Sequence, residues 1–119
     1  MRSDRPPARV EFTPLFVRFL KHLAKKYRNI QADLQPLIDR LERGETPGVR
    51  VKGVKPPTYK VRVKSGDISK GKSGGYRVIY YLRTADFIGL LAIYAKSERT
   101  DIRPQEIRRM IEDYERQSR

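Results

Sequence analysis

Two strand-like runs on either side of a glycine-rich segment constrain the fold of this chain more than any other feature. The runs, Tyr59 to Val63 and Tyr76 to Leu82, are rich in β-branched and aromatic residues. The segment between them contains several glycines, which are typical of turns and loops. The pattern predicts a β-hairpin and therefore an antiparallel sheet at the centre of the fold.

The first run alternates basic and apolar residues. Lys60, Arg62 and Lys64 fall on one face of a strand, and the apolar residues between them fall on the opposite face. Arg77 belongs to the second run, which is expected to pair with the first. The whole chain carries a formal net charge of +13. A charge of this size, organised along a strand, favours a polyanion such as nucleic acid as the ligand.

Length and composition exclude several classes of protein. With 119 residues, the chain is long enough for one domain with its own core. It has no cysteine, which excludes disulfides, thiolate catalysis and cysteine-bound zinc, and His22 is its only histidine. No run has the length and apolarity of a signal peptide or a membrane span, so we expect a cytoplasmic protein without a membrane partner.

The N-terminal half predicts a tail, a strand and two helices. Residues 1–8 are polar and contain a Pro-Pro pair, so they are expected to form a flexible tail before a short strand at 9–12. Thr13 precedes a proline and an apolar stripe with helical spacing, as in a capped amphipathic helix. A second stripe ends at Gly44, with Pro36 either in its first turn or at a kink.

The C-terminal half predicts most of the sheet. Residues 45–57 contain glycines and prolines and are interpreted as a connecting loop. Three strands are expected at 59–63, 76–82 and 87–95, and a last amphipathic helix is expected to begin near Pro104.

These elements predict an α+β fold in a single domain over residues 9–119. An N-terminal strand and a helical hairpin are followed by a three-strand antiparallel meander and a C-terminal helix. We expect the helices to pack on one face of the sheet and to leave the other face open for a ligand.

Residues 66–73 match the phosphate-binding loop pattern G-x-x-x-x-G-K-[ST] letter for letter. That loop delivers a phosphate to the N-terminus of a following helix, whereas the next element here is predicted to be the strand from Tyr76. We therefore expect no nucleotide cofactor. The segment is interpreted as a basic hairpin loop whose Lys70 and Lys72 contact RNA.

The acidic residues give little support to metal chemistry. They fall on predicted helices, where a solvated or ion-paired role is usual, or in loops, and no predicted strand carries two carboxylates. Metal-dependent nucleases need several acids around magnesium. Any phosphoryl chemistry is therefore expected to use neither a metal nor another cofactor.

Lys60, Arg62 and Arg77 are the candidate catalytic residues. Arginine suits bidentate contact with a phosphate, and lysine supplies a compact charge whose pKa falls when like charges crowd it. In metal-free RNA cleavage the 2′-hydroxyl attacks the adjacent phosphate, a lysine takes its proton, Arg77 stabilises the extra negative charge and another cation assists the leaving oxygen. Tyr81 and Tyr94 are candidates to stack on an unpaired base, although strand tyrosines more often pack within the sheet. The alternative is that this row of basic residues binds RNA without catalysing its cleavage.

Three segments in a fixed order indicate a family. YKVRV at 59–63, GGYRVIYYL at 74–82 and IGLLAIYAKSERTDI at 88–102 follow a helical hairpin that ends at a glycine. In this order the chain, from Val10 to Tyr114, resembles the RelE/ParE superfamily of bacterial toxins from type II toxin-antitoxin systems. The resemblance implies a small β-sheet wrapped by helices and an antitoxin that neutralises the toxin. In the RelE branch it also implies cleavage of messenger RNA in the ribosomal A site.

The resemblance assigns positions as well as a fold. Lys60 and Arg62 fall on the two basic positions of the RelE second strand, and Arg77 falls on the arginine of its GYR motif. The branch that relies on a C-terminal catalytic histidine is not supported, because His22 lies in a different element.

Two positions depart from the RelE pattern. The arginine expected just after Ala95 and Lys96 is Ser97, and the tyrosine expected before the last helix is Arg103. Lys96, Arg99 and Tyr94 are the candidates to compensate, and all three are predicted to contact RNA together with Lys64.

The predicted function is a toxin that acts as a metal-independent endoribonuclease on ribosome-bound mRNA. The expected partners are mRNA, the ribosome and a cognate antitoxin that is acidic or amphipathic. Two alternatives stay open: a ParE-like inhibitor of DNA gyrase, and a nucleic-acid-binding module without catalysis.

Overall fold

Eight elements make up the computed structural model over the described residues, which are 7–66, 75–99 and 101–117. In chain order they are β1 (Arg9–Phe12), α1 (Pro14–Ala24), α2 (Ile30–Glu42), β2 (Val49–Arg50), β3 (Thr58–Val63), β4 (Tyr76–Thr84), β5 (Phe87–Ala95) and α3 (Pro104–Gln117). The architecture is α+β, as the sequence predicts. β2 lies in the stretch predicted to be a loop, because a strand of two residues carries no recognisable pattern.

The strands form one five-stranded mixed sheet in the order β1-β5-β4-β3-β2. β3, β4 and β5 pair antiparallel and form the predicted meander. β1 lies parallel to β5 at one edge, and β2 pairs antiparallel with β3 at the other. The hairpin predicted from the two strand-like runs is therefore confirmed.

The larger core lies between the sheet and the helices α1 and α2. Thr13 caps α1 as predicted, because its hydroxyl accepts a hydrogen bond from the Phe16 N–H at 3.2 Å. The same hydroxyl donates to the Leu90 carbonyl at 2.8 Å, so the cap also holds the start of α1 against β5. Val61 and Val63 point into this core, which confirms the predicted apolar face of β3.

α3 packs on the opposite face of the sheet, so the prediction that helices cover only one face is wrong. Ile107 and Tyr114 of α3 belong to a second buried cluster with Ile79, Tyr81 and Leu91 of the sheet. The physical reason lies in the central strands, which are apolar on both faces and need cover on both. α3 provides it over part of the second face.

A β-bulge interrupts the pairing of β4 with β5. Ile79 lies opposite Ala92 and Tyr80 opposite Leu90, which leaves Leu91 as the extra residue. Leu91 and Ala92 consequently both belong to the cluster under α3, although they are adjacent in sequence.

Two local predictions are decided by the structure. Pro36 lies inside α2, beyond its first turn, where it lacks the N–H that would otherwise continue the helical hydrogen bonding. Ala8, assigned to the tail from the sequence, is buried, and its N–H donates to the Glu42 carbonyl at 2.9 Å. The folded domain therefore includes Ala8, and residues 1–6 of the predicted tail lie outside the described residues.

Candidate functional site

The three predicted catalytic residues lie together on the part of the second sheet face that α3 leaves uncovered. Arg62 of β3 lies directly opposite Arg77 of β4, and Arg77 lies directly opposite Tyr94 of β5. Lys60 lies two residues along β3, opposite Ile79. Opposed residues in an antiparallel pair have Cα atoms about 5 Å apart, so three cationic side chains leave the sheet within a small area. Lys60, Arg62 and Arg77 are called the basic face below.

Arg62 and Arg77 carry charges that no described acid neutralises. Arg62 is exposed and Arg77 is half-buried. Within residues 7–66, 75–99 and 101–117 neither guanidinium forms an ion pair, and Arg77 Nη1 makes a long contact of 3.4 Å with the Tyr76 carbonyl. Two like charges on adjacent strands repel each other, and a bound anion relieves that repulsion.

Asp101, which the sequence analysis does not select, closes one side of the basic face. Its carboxylate accepts hydrogen bonds from Lys60 Nζ, from the Ile102 N–H at 2.8 Å and from the Tyr94 hydroxyl at 3.5 Å. Burial acts to raise the pKa of this carboxyl, but the hydrogen bonds from Lys60 and the Ile102 N–H outweigh it and hold the pKa below its usual value. Asp101 is therefore ionised at neutral pH and paired with Lys60.

No sequence pattern could have found this pair. Lys60 and Asp101 are 41 positions apart, and Asp101 lies in the segment between β5 and α3, three residues before Pro104, where nothing in the sequence relates it to β3. Only the position of α3 across the sheet brings the carboxylate to β3.

Tyr94 and Tyr81 are core residues in this structure. Burial, and then the charge of Asp101, raises the pKa of Tyr94 to about 12, so its hydroxyl keeps its proton at neutral pH. Tyr81 has no exposed area, and burial, together with the hydrogen bond that it donates to Glu115, raises its pKa. Neither ring presents a face to solvent, so the predicted stacking on an RNA base does not fit this structure. Tyr94 reaches the site through its hydroxyl alone.

The remaining lysines predicted to contact RNA lie in different places. Lys64 is exposed and directly follows β3, two residues beyond Arg62. Lys96 directly follows β5 and is half-buried, and its N–H donates to the Gly75 carbonyl at 3.2 Å. Lys70 and Lys72 lie outside the described residues. The structure thus extends the basic face by Lys64 at its end nearest the hairpin loop.

Arg99 lies beside the basic face, but its charge is matched. Its Nη2 pairs with Glu106 at 2.8 Å, and its Nε donates to the Asp101 carbonyl at 3.0 Å. The Arg103 N–H, and then Arg99, hold the pKa of Glu106 below its usual value. Ser97 and Arg103, which stand at the two positions that depart from the RelE pattern, are both exposed. Arg99 therefore links the backbone carbonyl of Asp101 to Glu106 of α3.

The phosphate-binding loop match leads into a strand, as predicted. Of its residues, only Gly66 is described, and the Gly66 N–H donates to the Asp33 carboxylate at 2.9 Å. The next described element is β4, which begins at Tyr76. The helix N-terminus that such a loop needs is therefore replaced by a strand.

Comparison with models of protein families found no match, and comparison with curated proteins found none either. In the described part of the chain, no three His, Asp or Glu side chains are grouped so that they could hold a metal ion. None of the described helices combines the length and the apolarity needed to cross a membrane. The basic face and Asp101 are therefore the features of the described structure that bear on function.

Proposed function

We propose that this protein is a RelE-like toxin that cleaves messenger RNA on the ribosome without a metal and is neutralised by a partner antitoxin. The observation that carries the proposal is that Arg62 and Arg77 lie opposite each other on neighbouring strands, with Lys60 beside them. Three cations anchored side by side on neighbouring strands suit a single phosphate better than a diffuse charge does. The resemblance in sequence to the RelE/ParE superfamily supplies the reaction class.

Arg77 is the residue placed to stabilise the transition state. On the basic face, Arg77 lies between Arg62 on one neighbouring strand and Tyr94 on the other. When the 2′-hydroxyl attacks the phosphorus and the bond to the 5′ oxygen breaks, negative charge accumulates on the phosphoryl oxygens. A guanidinium held against those oxygens stabilises that charge at no cost in reorganisation.

Lys60 is assigned to the leaving group. Its ammonium group donates to Asp101, and its side chain is only 27 % exposed, so it is held as a proton donor in a defined position. We therefore give Lys60 the protonation of the 5′ oxygen, and we give Asp101 the role of positioning residue. Lys60 thus fills the expected role of the cation that assists the leaving oxygen, and the proton of the 2′-hydroxyl passes to solvent water.

A gyrase-inhibiting binding protein is the second candidate, and one observation favours it. Ser97 and Arg103 stand where RelE-like toxins carry an arginine and a tyrosine, and the phenol of Tyr94 is buried. A ParE-like protein needs no nuclease site and would tolerate these replacements.

The test compares the two activities in parallel. The protein is induced in cells, the 5′ ends of messages are mapped, and the purified protein is added to a gyrase supercoiling assay. We expect new 5′ ends inside translated regions and unchanged supercoiling. Intact messages with inhibited supercoiling would replace the nuclease proposal by the gyrase one, and intact messages with normal supercoiling would contradict both.

A further inference from the structure

A second cationic surface lies between the β2–β3 connection and α3. Residues 50–55 and Arg108 line a groove of about 530 Å³. We call it the basic groove. It lies outside the set of residues that the sequence predicts to be functional.

Several contacts fix the shape of the basic groove. The Val51 N–H donates to the Thr58 carbonyl at 2.8 Å, which continues the pairing of β2 with β3. Arg108 Nη1 donates to the Gly53 carbonyl at 2.8 Å and so ties the connection to α3. Val54 is 2 % exposed and belongs to the core under α3, against which Val51 also packs. The two valines give the groove an apolar floor that is held in place from both sides.

The rim of the basic groove is positively charged and unneutralised. Arg50, Lys52, Lys55 and Arg108 are exposed, and no acidic residue is among those that line the groove. None of the four forms an ion pair with an acid in the described parts of the chain. Some exposed cations elsewhere are paired with acids, as where two arginines bind Glu45. Four cations around one groove, unpaired within the described residues, therefore give it a positive potential that attracts an anion.

The basic groove is continuous with the basic face. Val49 of β2 lies directly opposite Lys60 of β3, so the two side chains share one face of the sheet. Neighbouring strands are about 4.8 Å apart, so a ligand that leaves Lys60 reaches the groove after crossing β2 alone. Val49 is 74 % exposed on that path and offers an apolar contact.

We propose that the basic groove is an exosite for the substrate RNA and binds the backbone of the strand whose scissile phosphate lies on the basic face. This inference rests on the proposed function. A nucleotide has an anionic phosphate for the cationic rim and a less polar ribose and base for the floor formed by Val51 and Val54. An acidic protein segment also fits the charge, but the continuity with Lys60 favours the ligand that the basic face itself binds.

The test uses Lys52→Ala/Lys55→Ala in the full-length chain. Both lysines are exposed, and neither has a hydrogen bond or ion pair in the described structure, so their removal leaves the fold intact. The probe is a single-stranded RNA with 2′-O-methyl riboses, which binds but is not cut. We expect affinity to fall about tenfold near physiological salt, and the slope of log K against log salt to become less steep by about 1.4, the value for two lost phosphate contacts.

The matched control is Lys21→Ala/Lys25→Ala, which removes the same charge from exposed positions at the end of α1. Its affinity and salt slope should stay close to those of the unchanged protein. Equal effects of both double variants, or no effect of Lys52→Ala/Lys55→Ala, would overturn the exosite. Unchanged RNA affinity with lost binding of polyglutamate would also overturn it, in favour of an acidic protein partner.

Cleavage separates the exosite from the proposed function. With a cleavable message bound to ribosomes and supplied at saturating concentration, Lys52→Ala/Lys55→Ala should cut at the rate of the unchanged protein, because the groove does not touch the reacting phosphate. The concentration needed for half-saturation should rise about tenfold, in line with the lost affinity. If the rate at saturation falls as well, the exosite assignment is wrong. If the unchanged protein binds RNA through the groove but cuts no message, the proposed function fails and the exosite stands.

Discussion

The sheet face on which α3 packs has two ends, one covered by the helix and one open to solvent. Both ends are built from the same strands, but they differ in burial and in charge. At the covered end, Ile79, Tyr81 and Leu91 are buried under α3. At the open end lies the basic face. β4 contributes to both, because Arg77 and Tyr81 point to the same side and only Tyr81 lies under the helix. Strand alternation decides which side a residue faces, and the helix position decides whether it meets solvent.

Acidic residues are also divided between the two ends. At the covered end the Tyr81 hydroxyl donates to Glu115, which also pairs with Arg83 at 3.1 Å, and the Tyr114 hydroxyl donates to Glu11. At the open end, Asp101 is the acid that the described structure brings to the basic face, and it lies at the border. The acids at the covered end are therefore already bound to partners within the protein, whereas the open end retains unneutralised charge for a ligand.

Leu91→Ala is the change expected to have the largest effect, and it tests the covered end. Leu91 is 1 % exposed, and large-to-small substitutions in a core cost about 2–5 kcal/mol in the free energy of unfolding. Arg62→Ala at the open end should change that free energy by no more than about 0.5 kcal/mol, because Arg62 is exposed and the described structure gives it no hydrogen bond or ion pair. Urea unfolding measures both. Similar losses of unfolding free energy in the two variants would show that the covered and open ends contribute equally to stability.

Arg77→Ala is expected to have the next largest effect, on chemistry rather than on stability. Single-turnover cleavage of bound message should slow about a hundredfold, the size typical of losing one donor to a transition-state oxyanion. RNA affinity should fall only modestly, because other cations still hold phosphates. Lys21→Ala on α1 is the control. A variant that binds weakly but cleaves its bound message at the original rate would show that Arg77 only positions the substrate.

Asp101→Asn is expected to have the smallest effect and tests the border between the two ends. The folded pKa of Asp101 lies below its ordinary value of 3.8, so its contribution to stability is present above that pH and is lost as pH falls through the folded pKa. The side chain is 56 % exposed, so solvent screening limits this contribution to less than about 1 kcal/mol.

Urea midpoints measured between pH 7 and pH 2 check this expectation. The Asn variant should be slightly less stable at pH 7 and should lose less stability on acidification than the unchanged protein. Identical acid sensitivity of the two proteins would mean that the Lys60–Asp101 pair contributes nothing to folding.

Local sequence patterns predict much of the fold and part of the candidate site. Thr13 and the apolar stripe after it specify α1, and the alternation around Lys60 and Arg62 specifies which face of β3 is charged. The two strand-like runs then predict a hairpin, and the register of that hairpin places Arg77 beside Arg62.

The rest depends on contacts between distant residues. The burial of Tyr81 and the pairing of Asp101 with Lys60 both follow from where α3 crosses the sheet, and the apolar stripe of that helix does not specify which sheet face it will cover. β2 is too short to have a pattern, and the groove beside it is formed only when Arg108 meets the Gly53 carbonyl. RNA cleavage itself stays a prediction.

The bulge at Leu91 determines where the phenol of Tyr94 ends up. In an uninterrupted strand, residues that differ by an even number share a face, so Leu90 and Tyr94 would point to the same side. The extra residue shifts this phase, and Tyr94 lies opposite Arg77 whereas Leu90 stays in the core with α1. One added residue thus places the Tyr94 hydroxyl near Asp101 and the Ile93 side chain in the interior. The composition of the border of the basic face is therefore set by the length of β5 as much as by its side chains.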